Sequence, residues 1–169
     1  MGSTGASGPV ALLALDWGTT SARAYCMDRS GGVLEQRATS LGLQQIGPGG
    51  FPAALRQVLG DWAELRVPRI ACGMVGSRQG WVEAPYQDCP VHLDALADGI
   101  VGTPGGELAI IGGLTCRDAA QVPDVMRGEE TQIAGLAGEA HQDLLVVQPG
   151  THSKWTSVGA AASMPSLRT

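Results

Sequence analysis

No cluster of lysine and arginine occurs anywhere in the chain, and the formal net charge is −5. A nucleic-acid partner is therefore not expected, because phosphate backbones are held by basic patches or stripes. No apolar run is long enough to cross a membrane. No Cys-x-x-Cys occurs. Cys26, Cys72, Cys89 and Cys116 stand far apart, with His92 the one histidine near any of them. That spacing suits scattered buried thiols better than a zinc site or a disulfide framework, and it predicts a reducing, cytoplasmic setting. The familiar nucleotide loops are missing too. Gly73-Met74-Val75-Gly76-Ser77 lacks the Gly-Lys-Ser/Thr ending of a P-loop, and no Gly-x-Gly-x-x-Gly follows the first apolar run. No internal repeat stands out.

Glycine, by contrast, is plentiful, with 25 among 169 residues. These glycines follow no collagen period. They sit at the ends of apolar runs, where tight turns and close ligand approach require them. The hydrophobic share of 44% is ordinary for a globular chain. Residues 1–9 are Gly/Ser/Thr-rich and uncharged, and read as a disordered leader rather than a secretory signal.

Val10–Asp16 is a nearly continuous apolar run, which predicts a central strand. Ser21–Met27 alternates with period two, and Val33–Thr39 is a more polar third strand. Short turns join the three, so the simplest arrangement is an antiparallel meander. Phe51, Leu55, Val58, Leu59 and Trp62 recur at helical spacing, predicting a helix of about 14 residues with Trp62 in the core. Strands at Arg69–Met74, Leu108–Ile111 and Leu144–Val147 alternate with a short helix near Leu93–Ile100 and a helix over Glu129–Ala140. Trp155–Ala160 begins a hairpin partner for the last strand, and an unpatterned tail follows. This order predicts an α/β fold whose mixed sheet starts as a three-stranded meander with flanking helices. Residues 10–143 would form one domain, and 144–169 would begin a second.

Two backbone-rich turns carry the functional signal. Asp16-Trp17-Gly18-Thr19-Thr20 follows the first strand, and Pro149-Gly150-Thr151-His152 follows the strand at Leu144–Val147. Both offer small residues, hydroxyls and N–H groups, the chemistry that cradles phosphates. Asp16 at a strand end suits a hydrated Mg²⁺ bridging nucleotide phosphates, with Gly18, Thr19, Thr20 and Ser21 as donors and Arg23 as nearby charge. Gly150, Thr151, His152 and Lys154 suit a terminal phosphate. A plain polar hairpin and a solvent-facing turn explain the same residues.

Arg127-Gly128-Glu129-Glu130-Thr131-Gln132 enters a helix. Acids in a first helical turn are favoured by the macrodipole alone. Glu129 or Glu130 also offers a general base for an alcohol, with Arg127 as a clamp for an acidic substrate or phosphate. The segment from Gly73 to Tyr86 holds recognition chemistry in Ser77, Arg78, Trp81, Glu83 and Tyr86. Arg78 suits a carboxylate, and Trp17, Trp81 and Tyr86 suit apolar walls against sugar carbons. Ordinary packing accounts equally well for each ring.

Together, Leu15–Arg23 (LDWGTTSAR), Ala71–Pro85 (ACGMVGSRQGWVEAP) with Tyr86, Met126–Gln132 (MRGEETQ) and Pro149–Trp155 (PGTHSKW) resemble the N-terminal part of the 2-dehydro-3-deoxygalactonokinases. These are sugar-acid kinases of the actin/sugar kinase/heat-shock-ATPase superfamily. The likeness runs from about Leu12 to Val158. It implies a ribonuclease-H-like, actin-like ATPase domain whose second domain is truncated. It implies transfer of the ATP γ-phosphoryl group to the 6-hydroxyl of 2-dehydro-3-deoxy-D-galactonate, with ATP and Mg²⁺ as cofactors. Asp16 and Gly18–Thr20 would form the first phosphate loop and Gly150–His152 the second. Glu129 or Glu130 would be the base, and the Gly73–Tyr86 segment would face the sugar acid. The partners implied are a small-molecule sugar acid and either a homo-oligomer or a missing C-terminal polypeptide. Kinases for other sugars, a phosphatase on the same fold, and a non-catalytic fragment are the alternatives.

Overall fold

The computed structural model describes residues 8–117, 120–137, 143–149, 153–159 and 163–168. In chain order the strands are β1 (Leu12–Trp17), β2 (Ala22–Met27), β3 (Val33–Thr39), β4 (Arg69–Cys72), β5 (Tyr86–Asp88), β6 (Val91–His92), β7 (Val101–Gly102), β8 (Ala109–Ile110), β9 (Gly113–Arg117), β10 (Pro123–Met126), β11 (Leu144–Gln148), β12 (Lys154–Gly159) and β13 (Ser163–Arg168). The helices are α1 (Phe51–Leu59) and α2 (Glu129–Ala137).

The first sheet has the order β3-β2-β1-β4-β8-β7. Its β3-β2-β1 part is the antiparallel meander, and β4 and β8 add parallel strands to β1. Alternation decides which side chains go inward. Leu13, Leu15 and Trp17 on β1 and Ala22, Ala24 and Cys26 on β2 face one core. Helix α1 covers that face with Ala54, Leu55, Val58 and Leu59. It ends at Gly60, whose φ of 56° lies in the left-handed region. A 3₁₀ turn over Gly60–Glu64 then continues the path and keeps Trp62 buried. The expected single helix is thus an α-helix followed by a tighter turn. Arg37 lies 3.7 Å over the Trp62 ring.

Asp16, Arg23 and Tyr25 alternate onto the opposite face of this sheet. Asp16 pairs in register with Arg23 of β2 and with Cys72 of β4, so the three stand in a row across three strands. Thr131 and Gln132 of helix α2 share a cavity lining with Asp16 and Cys72 of this row.

A second core joins Val91, Leu96, Leu114, Met126, Ile133 and Val158. It lies with a three-stranded sheet of order β10-β9-β5 and a four-stranded sheet of order β11-β12-β13-β6. Strand β13 pairs with both β12 and β6, so the tail read as unpatterned is a strand. Short helix expected near Leu93–Ile100 is a 3₁₀ turn over Asp94–Gly99. Among the described residues, no helix is long and apolar enough to cross a membrane.

Candidate active site

The β1–β2 connection is a tight hairpin closed by the Gly18 N–H on Ser21 O at 2.9 Å. Thr19, Thr20 and Ser21 are exposed at its tip. A segment from further along the chain backs it: the Leu43 N–H donates to Gly18 O at 3.1 Å, and the Gln44 N–H to Thr19 O at 3.0 Å. Among the described residues, no backbone or side-chain acceptor takes the Thr19 or Thr20 N–H. Beside the hairpin, Asp16 is half-buried and lies 3.5 Å from the exposed guanidinium of Arg23. A pair this open to water is weak and leaves the carboxylate available.

Two glycines bring α2 to this strand end. Gly73 follows β4 with φ 94°, and Gly128 precedes α2 with φ 113°. A Cβ on Gly73 would stand 2.8 Å from Trp17 O and 3.4 Å from Asp16 Oδ1. A Cβ on Gly128 would stand 3.1 Å from the Gly73 Cα. The residue that leads into α2 therefore meets the end of β4 almost backbone to backbone, and Gly73 in turn lies against the end of β1.

Glu130 in that turn is 0% exposed. Its two oxygens accept the Gly128 N–H at 2.9 and 2.7 Å, and Oε1 accepts the Thr131 hydroxyl at 3.2 Å. Burial raises its pKa, against the pull of those hydrogen bonds. The Cys72 thiol is pushed up to about 12, chiefly by burial and further by the charges of Asp16 and Glu130. The Cys72 thiol thus sits within reach of both carboxylates at the end of the sheet. A cavity of about 200 Å³ opens there, lined by Asp16, Tyr25, Cys72, Thr131 and Gln132. Glu129 is turned differently. It is half-buried, and its Oε2 accepts the Arg127 N–H at 2.9 Å.

The Gly73–Tyr86 segment is more packed than a ligand loop needs to be. Trp17, read as a wall for sugar carbons, is fully buried, and its indole donates to Leu41 O at 3.0 Å. It is a core residue, because it continues the inward alternation of Leu13 and Leu15. Its ring meets Phe51 edge-on at 6.1 Å, and Phe51 stacks on Trp81 at 5.8 Å. Arg78 extends into solvent near Glu83, at 3.5 Å. The buried Ser77 hydroxyl has no partner among the described residues. Tyr86 is exposed and carries the Arg127 guanidinium 4.1 Å over its ring. Arg127 itself is buried. It donates from Nε to Tyr86 OH at 3.2 Å and from Nη2 to Ala84 O at 2.9 Å, and its Nη1 has no acceptor among the described residues.

Lys154, read as a phosphate ligand, is buried on β12 and forms an ion pair with Asp124 of β10. That partner explains its inward direction. Gly150, Thr151 and His152 lie outside the described residues. Among the described residues there is no group of three or more His, Cys, Asp or Glu side chains that would hold a metal ion. Sequence reasoning gave no site role to Gly73, Gly128, Cys72 or Thr131, among others. The signal for the two glycines, one after a strand and another before an acidic helix start, is visible only once the two are known to touch.

Residues 16–166 match the family described as 2-keto-3-deoxy-galactonokinase. A probable 2-dehydro-3-deoxygalactonokinase of Rhizobium meliloti is 41% identical over 84% of this chain and 47% of its own length. The 2-dehydro-3-deoxygalactonokinase of Escherichia coli is 37% identical over 85% of this chain and 48% of its own. A crystal structure of a Sinorhizobium meliloti protein assigned as a 2-dehydro-3-deoxygalactonokinase superposes with a TM-score of 0.82 at 38% identity, covering 92% of this chain and 52% of that one. The chain spans about half the length of the curated relatives it matches. On sequence and on fold alike, the chain belongs to the 2-keto-3-deoxy-galactonokinase family.

Proposed function

We propose that this chain supplies the first phosphate loop and the proton acceptor of an ATP-dependent sugar-acid kinase acting on 2-dehydro-3-deoxy-D-galactonate in a reducing cell compartment. The observation that carries this reading is the meeting of three features at one sheet end: the open N–H groups of Thr19 and Thr20, the available carboxylate of Asp16, and the buried carboxylate of Glu130.

The donor set fits Mg²⁺ and nucleotide phosphate. A single half-buried carboxylate is enough for Mg²⁺, which keeps most of its waters and takes its other oxygens from phosphate. Asp16 would hold the ion, and the Gly18–Thr20 hairpin would hold the phosphates. When bound, MgATP supplies the phosphoryl group and neutralises part of its charge.

The chain's own residues do the rest. Thr19 and Thr20 present N–H dipoles already fixed in place, so no reorganisation is needed as charge develops. Glu130 accepts the proton of the attacking hydroxyl, relayed through Thr131. Thr131 lines the cavity, and its hydroxyl already donates to Glu130. Burial suits Glu130 to this task, because a raised carboxylate pKa is a better match to a proton it must take. Glu129 ties off the Arg127 N–H and so shapes the turn. Arg127, through Tyr86 and Ala84, binds the Gly73–Tyr86 segment to the start of α2.

The test is ADP release with MgATP and a panel of sugar acids. It is run on the chain alone and on the chain fused ahead of the C-terminal half of the Escherichia coli relative. Turnover that requires 2-dehydro-3-deoxy-D-galactonate supports the reading. Preference for a neutral sugar would replace the substrate, and ADP release independent of any acceptor would replace the kinase with a hydrolase.

A further inference from the structure

Gly42 packs directly against the hairpin, and no sequence motif marks it. Its φ of −87° and ψ of −179° suit any residue, so its backbone does not call for glycine. Space does. A Cβ there would stand 2.4 Å from the Ser21 N and the Thr20 carbonyl carbon, and 2.5 Å from Thr19 O. No side chain, alanine's methyl included, fits without moving the hairpin.

The segment around Gly42 is held at several points. Trp17 in the core donates its indole N–H to Leu41 O. The Gly42 N–H donates to the Gln45 side chain, Oε1, at 2.9 Å. A short 3₁₀ turn over Leu43–Gln45 then points its first two N–H groups at the hairpin, one on Gly18 O and the next on Thr19 O.

Peptide planarity gives these two bonds a further consequence. In a trans peptide the C=O of one residue and the N–H of the next point in opposite directions. Drawing the Gly18 and Thr19 carbonyls back onto the 3₁₀ turn therefore turns the Thr19 and Thr20 N–H groups outward. Two successive outward N–H groups make a concave site of positive potential for an anion.

We propose that the segment Leu41–Gln45 is a brace that orients the phosphate hairpin, with Gly42 as its positioning residue. The brace contributes nothing to the ligand directly. It acts by consuming the two carbonyls that would otherwise repel a polyphosphate or let the peptide planes rotate. This proposal rests on reading the Gly18–Ser21 hairpin as a phosphate loop.

The experiment is a titration of the ¹⁵N-labelled 169-residue chain with inorganic tripolyphosphate and Mg²⁺, followed by amide NMR. In the unaltered protein the Thr19 and Thr20 amide signals move with added tripolyphosphate, and the Leu43 and Gln44 amides exchange slowly with solvent. Gly42→Ala weakens the apparent affinity at least tenfold while the amide signals of β1 and β2 stay where they were. Gln45→Ala, which removes one hydrogen bond and adds no bulk, weakens it about threefold, and serves if Gly42→Ala does not fold. Unchanged affinity in a folded Gly42→Ala, or in Gln45→Ala if that is the variant that folds, overturns the brace and leaves the phosphate loop standing. Fast exchange at Leu43 and Gln44 in the unaltered protein also overturns the brace. Thr19 and Thr20 signals that ignore tripolyphosphate in the unaltered protein overturn the phosphate loop, and the brace with it.

Discussion

Gly128 lies against Gly73 so closely that a Cβ on it would stand 3.1 Å from the Gly73 Cα, and both residues hold a left-handed φ. This contact seats the start of α2, which carries Glu130, against the end of β4, beside β1. Gly128→Ala meets both the crowding and the positive φ, so it is expected to destabilise the fold by about 1–3 kcal/mol. It should also lower turnover more than stability alone explains. Urea unfolding and steady-state kinetics on the same samples check this.

Asp16→Asn keeps the shape of the side chain and removes its charge. If Asp16 holds the metal, kcat falls on the order of 100-fold. The Arg23 pair is open to solvent, so stability should change by less than about 1 kcal/mol. Equal Mg²⁺-dependent turnover in the variant removes Asp16 from the account.

Glu130 binds its proton more tightly in the fold than in the unfolded chain, because burial raises its pKa. Stability therefore falls as pH rises from the unfolded carboxylate value, about 4.3, through the higher folded value. Glu130→Gln removes that fall. The stability of Glu130→Gln relative to the unaltered protein should increase with pH across that window and level off above it. Denaturant midpoints between pH 4 and pH 8 give the comparison, and a difference independent of pH contradicts it.

The relay makes a sharper demand on Thr131. Thr131→Val keeps the branch and loses the hydroxyl, and kcat is expected to drop about 10²-fold, the scale of one general acid–base contribution. Thr131→Ser should restore most of it. Equal losses in both variants would assign Thr131 to packing rather than proton transfer.

Lys154 and Asp124 are both largely buried and bind β12 to β10. Lys154→Ala strands the Asp124 charge and should cost about 3–5 kcal/mol. Pairing it with Asp124→Ala should recover much of the loss. Tripolyphosphate binding at the hairpin is expected to be the same in the double variant as in the unaltered protein. A loss there would return Lys154 to the phosphate site.

These outcomes bear on what the sequence could and could not tell. Helix α1 was legible because Leu55, Val58 and Leu59 repeat at helical spacing and really do face one core. The meander was legible from alternation along β1 and β2. That same alternation runs Leu13, Leu15, Trp17, so the inward fate of Trp17 was available in the pattern, although the neighbouring aspartate made it look like a ligand wall. Strands β9 and β10 were missed because they are short, begin at Gly113 and Pro123, and alternate only weakly. Nothing local could have paired Lys154 with Asp124 or seated Gly42 on Thr19. Those are encounters between distant segments, and single-sequence patterns carry no record of them.

The central claim is that this sheet end hands a phosphoryl group to a sugar-acid hydroxyl whose proton Glu130 takes. ³¹P NMR of the fusion with MgATP and 2-dehydro-3-deoxy-D-galactonate tests it most directly. The account predicts a new phosphomonoester signal that needs the acceptor and is lost in Glu130→Gln. A phosphomonoester formed as fast by Glu130→Gln, or inorganic phosphate as the sole product, would contradict it.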